Sequence, residues 1–309
     1  PDGRRLVDEL LLPTSYFPLS LRKFAAMTVQ EATYFLLNQL RTVYSDGEAS
    51  QVTDWVMEHL TGSKKAERML YKNAAITEKE EILLHQYIKR LLAHEPVQYV
   101  LNESWFCGLK FFVDKNVLIP RPETEELVEW IISNCKFPVD ELKILDIGTG
   151  SGCIPIALKR RIRKADVWGC DVSEAALSVA KKNAATLGVE VIFLSLDFLD
   201  NNTWSQLPVF DIIVSNPPYV PVKDKETMQP NVLEYEPHTA LFVPDNDALL
   251  FYKAIEEFGK DHLSKKGTIY LEIHEELGEA TSKLFQAAGY KTELKKDMQQ
   301  KDRLLQAGL

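Results

Sequence analysis

The sequence predicts an α/β fold: a doubly wound, mostly parallel sheet with an antiparallel closing strand pair, preceded by a small all-helical domain and a β-hairpin linker. Three observations predict it. Residues 28–94 carry apolar residues at helical spacing and no strand pattern, and residues 96–122 carry a β-branched and aromatic run bounded by prolines. From residue 143 onward, short apolar strands alternate with helical segments. A length of 309 residues, more than one typical domain, suits this division.

Bulk properties narrow the function. With 45% hydrophobic and 26% charged residues the chain reads as an ordinary globular protein, and no apolar stretch approaches the roughly 20 residues a bilayer span needs. A formal net charge of −9 argues against tight, sequence-independent binding to a phosphate backbone, so no direct nucleic-acid binding is expected. Cys107, Cys135, Cys153 and Cys170 are scattered, with no paired cysteine motif and no histidine at ligand spacing. Reduced thiols, no disulfide, no metal and a cytoplasmic compartment are expected.

Residues 1–26 mix Arg4, Arg5, Arg22 and Lys23 with Asp2, Asp8 and Glu9, matching neither a signal peptide nor an acid-poor transit peptide. They are set apart as a leader, and the body is expected to begin at Met27. Residues 27–95 form the helical bundle: Val29, Ala32, Phe35, Leu36 and Leu40, then Val52, Trp55, Val56 and Leu60, then Ile82, Leu83, Tyr87, Ile88 and Leu91. Asp46-Gly47 and Gly62-Ser63 are expected to be the breaks, and Thr77 with Glu80 a capping box. Nothing there clusters carboxylates or histidines, so the bundle reads as a substrate-docking module. Residues 96–120 read as a hairpin linker, with breaks at Asn102-Glu103 and Asp114-Lys115-Asn116, and the domain boundary falls in it. Two prolines in Ile119-Pro-Arg-Pro-Glu-Thr-Glu125 then stiffen the entry to a helix running through Ile132, opening the second domain at residue 121.

The first strand of that domain ends in Asp146-Ile-Gly-Thr-Gly-Ser-Gly152 and runs into a helix carrying Ile154, Ile156, Ala157 and Leu158. Glycines suit left-handed backbone or close approach of a ligand, and helix-start amides then face what is bound. Gly148, Gly150 and Gly152 are spaced G-x-G-x-G, with Thr149 and Ser151 between them and no lysine after; this fits neither the dinucleotide fingerprint nor the phosphate loop. Asp146 would repel a pyrophosphate and welcome an ammonium or sulfonium group. The loop therefore suits S-adenosylmethionine, in a Rossmann-like class I methyltransferase domain; the plainer reading makes Asp146 the cap of a turn. Asp171, ending the next strand, is placed to hold a ribose diol or to cap the next helix. Asp197 and Phe198, ending the third, are placed to bracket a base with an acceptor and an aromatic face.

The fourth strand, Phe210–Ser215, runs directly into Asn216-Pro-Pro-Tyr219. Both prolines lack an amide donor and fix their backbone, so the turn is a rigid wall of acceptors. The Asn216 side-chain oxygen and the Pro217 carbonyl can each hold one N–H of a substrate –NH₂ group, Pro218 stiffens the wall, and Tyr219 packs on the planar group behind the nitrogen. An isolated turn of this kind would read as a surface feature; here it ends a strand beside a glycine loop and a ribose acid, which points to an amino-group methyltransferase. A proline-bearing segment to about Pro244 reads as a lid or substrate loop. A helix over 248–263, a strand over 268–273, a helix over 276–288 and a closing antiparallel pair over 291–297 and 303–307 complete the domain.

With Asp146–Gly152, Ile119–Glu125 and Asn216–Tyr219 in place, residues from about 28 onward resemble the HemK/PrmC family of release-factor glutamine methyltransferases. The resemblance implies transfer of a methyl group from S-adenosylmethionine to the side-chain amide (N5) of the glutamine in the Gly-Gly-Gln loop of a peptide chain release factor, leaving S-adenosylhomocysteine. It implies that the helical bundle helps grip the release factor. Gly148 to Gly152, Asp171, Phe198 and Asn216 would touch the cofactor, and Asn216 to Tyr219 would hold the glutamine. Phe242-Val-Pro-Asp-Asn-Asp-Ala248 and His274 depart from the family pattern. A monomeric bacterial enzyme is expected, with organelle import left open. The alternatives weighed are an N6-adenine DNA or RNA methyltransferase, which needs a basic groove, and a non-enzymatic cofactor sensor, which needs no donor-free wall.

Overall fold

A computed structural model describes residues 26–135 and 142–309. The leader reading thus falls, apart from Ala26, outside the described residues. The chain divides into two compact units between Gln86 and Tyr87, ahead of the boundary that the sequence suggests.

In the first unit, α1 (Val29–Leu40) opens with a capping box in which the Thr28 hydroxyl accepts the Glu31 N–H and the Glu31 carboxylate accepts the Thr28 N–H. Next come α2 (Asp46–Thr61), α3 (Lys65–Leu70) and the start of α4 (Glu78–Leu92), which the Thr77–Glu80 pair caps as expected. One expected break is not a break. Ser45 takes the N-cap of α2, so Asp46-Gly47 becomes its first turn, where Asp46 and Glu48 complement the helix dipole. The short α3 lies in a stretch that the sequence left unassigned.

The second unit contains the end of α4, then α5 (Val97–Leu101) and a hairpin of β1 (Ser104–Phe106) and β2 (Leu109–Phe111). The hairpin is shorter than expected and turns at Cys107-Gly108, both at positive φ. Val97 and Tyr99 lie in a helical turn despite their β preference, because tertiary bonds decide. Arg90 donates to the carbonyls of Tyr99 and Val100 at 2.9 Å each, and the buried Tyr99 hydroxyl donates to Val117 O at 2.6 Å.

Thereafter strands and helices alternate: α6 (Pro122–Asn134), β3 (Lys143–Ile147), α7 (Cys153–Arg161), β4 (Asp166–Asp171), α8 (Glu174–Leu187), β5 (Ile192–Ser195) and β6 (Phe210–Ser215). The segment after β6 holds β7 (Val220–Pro221), α9 (Pro230–Tyr235) and β8 (Phe242–Val243), with β7 and β8 paired at its base. Then come α10 (Leu250–His262), β9 (Leu263–Glu272), α11 (Gly278–Ala287), β10 (Lys291–Lys296) and β11 (Asp302–Gly308).

Seven of the described strands form one sheet in the order β10-β11-β9-β6-β3-β4-β5. All its pairings are parallel except those of β11, which is antiparallel to both β9 and β10. Successive residues of β3 feed opposite cores. Ile144 joins Leu127 and Ile131 of α6 and Ile154 and Leu158 of α7 on one face, while Leu145 and Ile147 join Tyr252, Ile255 and Phe258 of α10 and Phe285 of α11 on the other. The chain reverses its winding between β3 and β6, the switch point past whose strand ends a sheet of this kind holds its ligand crevice.

Candidate active site

The glycine loop lies at that crevice. Gly148, Gly150 and Gly152 have φ of 73°, 52° and 77°, a region that L side chains rarely adopt. A Cβ on Gly148 would meet open space, whereas one on Gly152 would lie 3.0 Å from the Ala180 Cβ; the first glycine leaves room above the loop and the last lets α8 pack beneath it. The Gly148 and Thr149 amides donate to Cys170 O at 2.9 Å each, tying the loop to β4. Gly169 of β4 makes way for Thr149, whose Oγ1 would be 2.8 Å from a Cβ there.

Asp171, Asp146, Thr149 and Ser151, all expected from the sequence, lie around this loop. Asp171 accepts the Gly150 amide on one oxygen and the Ser173 amide on the other, both at 2.9 Å, so it braces the loop and the start of α8 together. Each oxygen keeps a second lone pair. Asp146 is fully buried, and neither of its oxygens has a partner; the same is true of the Thr149 and Ser151 hydroxyls. Burial pushes the Asp146 carboxyl up to about 7, moderated by the nearby Thr149 hydroxyl and reinforced by the charge of Asp171. An unpaired buried polar atom costs on the order of 1–3 kcal/mol, so four around one loop mark a place shaped for a ligand. Acceptors and hydroxyls without partners, beside a loop with clear space over Gly148, fit a cationic ligand that also carries a ribose, as S-adenosylmethionine is.

Asp197 lies past the end of β5, exposed, accepting the Leu199 amide at 3.0 Å. Phe198 corrects an expectation: its ring is buried against Trp204 and Phe258, with centroids 5.5 and 5.2 Å away, so its aromatic face is used by the core and not offered to a base.

The Asn-Pro-Pro-Tyr turn stands on the neighbouring strand. Asp146 and Ile147 of β3 pair in register with Val214 and Ser215 of β6, and the Ser215 hydroxyl donates to Ile147 O at 2.7 Å. Gly148 and Asn216 are thus the next residues of adjacent parallel strands. Asn216 Nδ2 donates to the Thr124 hydroxyl at 3.1 Å, and that hydroxyl donates to Glu272 Oε2 at 2.6 Å. The Tyr219 hydroxyl donates to Glu272 Oε1 at 3.2 Å. Pro217 is buried, and Pro218 is half-buried beside it.

Glu272 is buried, and burial lifts its carboxyl to about 7 against the lowering effect of Thr124, Tyr219 and Arg303. It lines a cavity of about 270 Å³ with Arg121, Glu123, Tyr219 and Arg303. His274, one of the departures from the family pattern, sets its ring edge-on to Tyr219 at 5.9 Å. Next to this cavity the buried Glu236 accepts the Ile119 amide at 3.2 Å and pairs with the Arg121 guanidinium.

Sequence reasoning missed Thr124, Gly169, Asn183, Glu236 and Glu272 as members of the site. Asn183 of α8 donates to Ser151 O and Phe112 O at 2.9 Å each and accepts the Phe112 amide at 2.7 Å, clamping the glycine loop to the chain after the hairpin. The usable signal was polar residues inside apolar helix and strand faces, at Thr124, Asn183 and Glu272. Among the described residues no cluster of histidine, cysteine or acidic groups could hold a metal, and no helix is long and apolar enough to cross a membrane.

Two family patterns match this chain, the methyltransferase small domain over residues 124–234 and the PrmC N-terminal domain over residues 34–101. The release factor glutamine methyltransferase of Flavobacterium psychrophilum is 43% identical over 269 residues, covering 86% of this chain and 94% of the relative. That of Bacteroides thetaiotaomicron is 38% identical over 276 residues, covering 89% and 98%. That of Lactococcus lactis is 40% identical over 250 residues, covering 81% and 90%. Joined to a glycine loop and an Asn-Pro-Pro-Tyr turn on adjacent strand ends, these matches establish that the chain belongs to the release factor glutamine methyltransferase family.

Proposed function

We propose that this chain methylates the side-chain amide nitrogen, N5, of the glutamine in the Gly-Gly-Gln motif of a peptide chain release factor, using S-adenosylmethionine. The observation that carries the reading is the register of β3 and β6, which puts the glycine loop and the Asn216 turn side by side. When bound, S-adenosylmethionine supplies an electrophilic methyl group on a sulfonium. Asp171 and the exposed Asp197 are the groups of this chain that would hold it, in the clear space over Gly148 and above the buried Asp146.

The remaining work belongs to the turn. An amide nitrogen is a poor nucleophile because its lone pair is delocalised into the carbonyl, the resonance that gives a peptide bond a rotation barrier of roughly 18–20 kcal/mol. Asn216 Oδ1 and the Pro217 carbonyl each accept one N–H of the substrate amide and turn its nitrogen toward the loop. As that nitrogen gives up its conjugation its protons become more acidic, so the two fixed acceptors bind the transition state more strongly than the ground state, and one of those protons is then shed to solvent to leave the neutral N-methyl amide. The prolines present no N–H to compete, and Tyr219 packs behind the substrate amide plane.

Asn216→Ala tests the assignment. It should keep S-adenosylmethionine affinity within about threefold while lowering methyl transfer to the release factor by on the order of 10²-fold or more. Labelled S-adenosylmethionine is offered with release factor and with duplex DNA in parallel; label in the DNA alone, or turnover retained by Asn216→Ala, refutes the reading.

A further inference from the structure

An asparagine amide can present either its oxygen or its nitrogen to a substrate, and the two ends have nearly the same shape. With the oxygen forward, Asn216 accepts an N–H of the glutamine; with the nitrogen forward, two donors face each other and the substrate –NH₂ is rejected. The turn does not settle this choice, because rotation of the amide by half a turn leaves the backbone unchanged. Something beside it must.

Thr124, on the first turn of α6, is that neighbour, and by itself it is neutral: a hydroxyl both donates and accepts. Its direction is set one step further along. An ionised carboxylate only accepts, and Glu272 Oε2 lies 2.6 Å from the Thr124 oxygen, so the Thr124 proton is committed to Glu272. Only lone pairs remain on the Thr124 oxygen for Asn216. The Asn216 nitrogen must therefore face Thr124, as the 3.1 Å bond records, and Oδ1 must face away from it. Thr124 and Glu272 are both buried, at 3% and 2% exposure, so water does not compete for these bonds. The same carboxylate receives the Tyr219 hydroxyl on its other oxygen, so both polar side chains of the turn lead to one anchor.

We propose that Thr124 is a positioning residue for methyl transfer, which passes the acceptor-only character of the ionised Glu272 carboxylate on as a single orientation of the Asn216 amide. The inference rests on the reading of Asn216 as the acceptor of the substrate amide. It gives a reason for a threonine within Arg-Pro-Glu-Thr-Glu that helix formation alone does not require.

The test compares wild type, Thr124→Val, which keeps the shape and removes the hydroxyl, and Thr124→Ser, which keeps the hydroxyl. Methylation of a release factor is followed at pH 8.5, above the value near 7 to which burial raises Glu272, and S-adenosylmethionine affinity is measured by calorimetry on the same preparations. Thr124→Val is expected to lower kcat by about tenfold to a hundredfold with cofactor affinity within about twofold of wild type, and Thr124→Ser to restore most of the loss. A kcat of Thr124→Val within about twofold of wild type overturns the proposal. So does a parallel loss of cofactor affinity, or a serine variant no better than the valine one. Failure of the wild type to methylate any release factor would instead overturn the functional reading beneath it.

Discussion

At the scale of single residues, the site holds groups that fold stability alone would not select. Asp146 is buried without a partner and titrates near 7, against a usual value near 3.8. A raised acid binds its proton more tightly in the folded chain than in the unfolded one. Its contribution to stability is therefore full below about pH 4 and is lost as pH rises through about 7. Above that, the folded protein holds an unpaired buried charge. Asp146→Asn should then be more stable than wild type at pH 8, by an amount that shrinks as pH falls to 5.5, measured by denaturant unfolding at each pH. The same variant should bind S-adenosylmethionine more weakly. A variant less stable than wild type at pH 8, with affinity unchanged, would mean that the carboxylate serves the fold and not the ligand.

At the scale of elements, the residues that make local structure were legible and those that tie elements together were not. Gly148, Gly150 and Gly152 announce a loop and Asn216 to Tyr219 announce a rigid turn, because each acts through its own neighbours in the chain. Val97 to Leu101 misled for the complementary reason: their β preference is weaker than the bonds from Arg90 that hold them as a helical turn. Asn183 shows what local reading cannot reach. It serves the glycine loop, yet its clamp spans 71 residues in the chain to Phe112. Removing its amide leaves one buried donor and two carbonyls without their partner, on the order of 1–3 kcal/mol for each group left unpaired. Asn183→Ala should lower Tm by several degrees and weaken S-adenosylmethionine binding severalfold, since the loop carbonyl Ser151 O loses the donor that holds it. Unchanged melting together with unchanged affinity would show that the clamp is redundant.

At the scale of the whole molecule, alternation of strands and helices was enough to predict a doubly wound sheet and its closing antiparallel pair. It did not reveal that β11 inserts between β9 and β10, because a hairpin fixes its own pairing but not which of its strands meets the sheet. Nor did it reveal how the long segment after Asn216 is tied down. That segment is closed at its base by β7 and β8 and held again at Glu236, whose buried carboxylate joins the Ile119 amide and the Arg121 guanidinium across more than a hundred residues of chain. The anchor therefore links the Arg-Pro-Glu-Thr stretch, which supplies Thr124, to the chain that leaves the Asn-Pro-Pro-Tyr turn. Removing it strands a partly buried cation and an amide together, which costs more than the pair contributes. Glu236→Ala should accordingly loosen residues 222–247 before it loosens the sheet. Trypsin should cut faster after Lys223 or Lys225 than in wild type, while S-adenosylmethionine affinity, set on the far side of β6 by the glycine loop, changes little. The KM for the release factor should rise severalfold. Cleavage at the wild-type rate with KM unchanged would mean that the β7–β8 pair alone closes the segment, and that Arg121 finds another partner in Glu123 beside it.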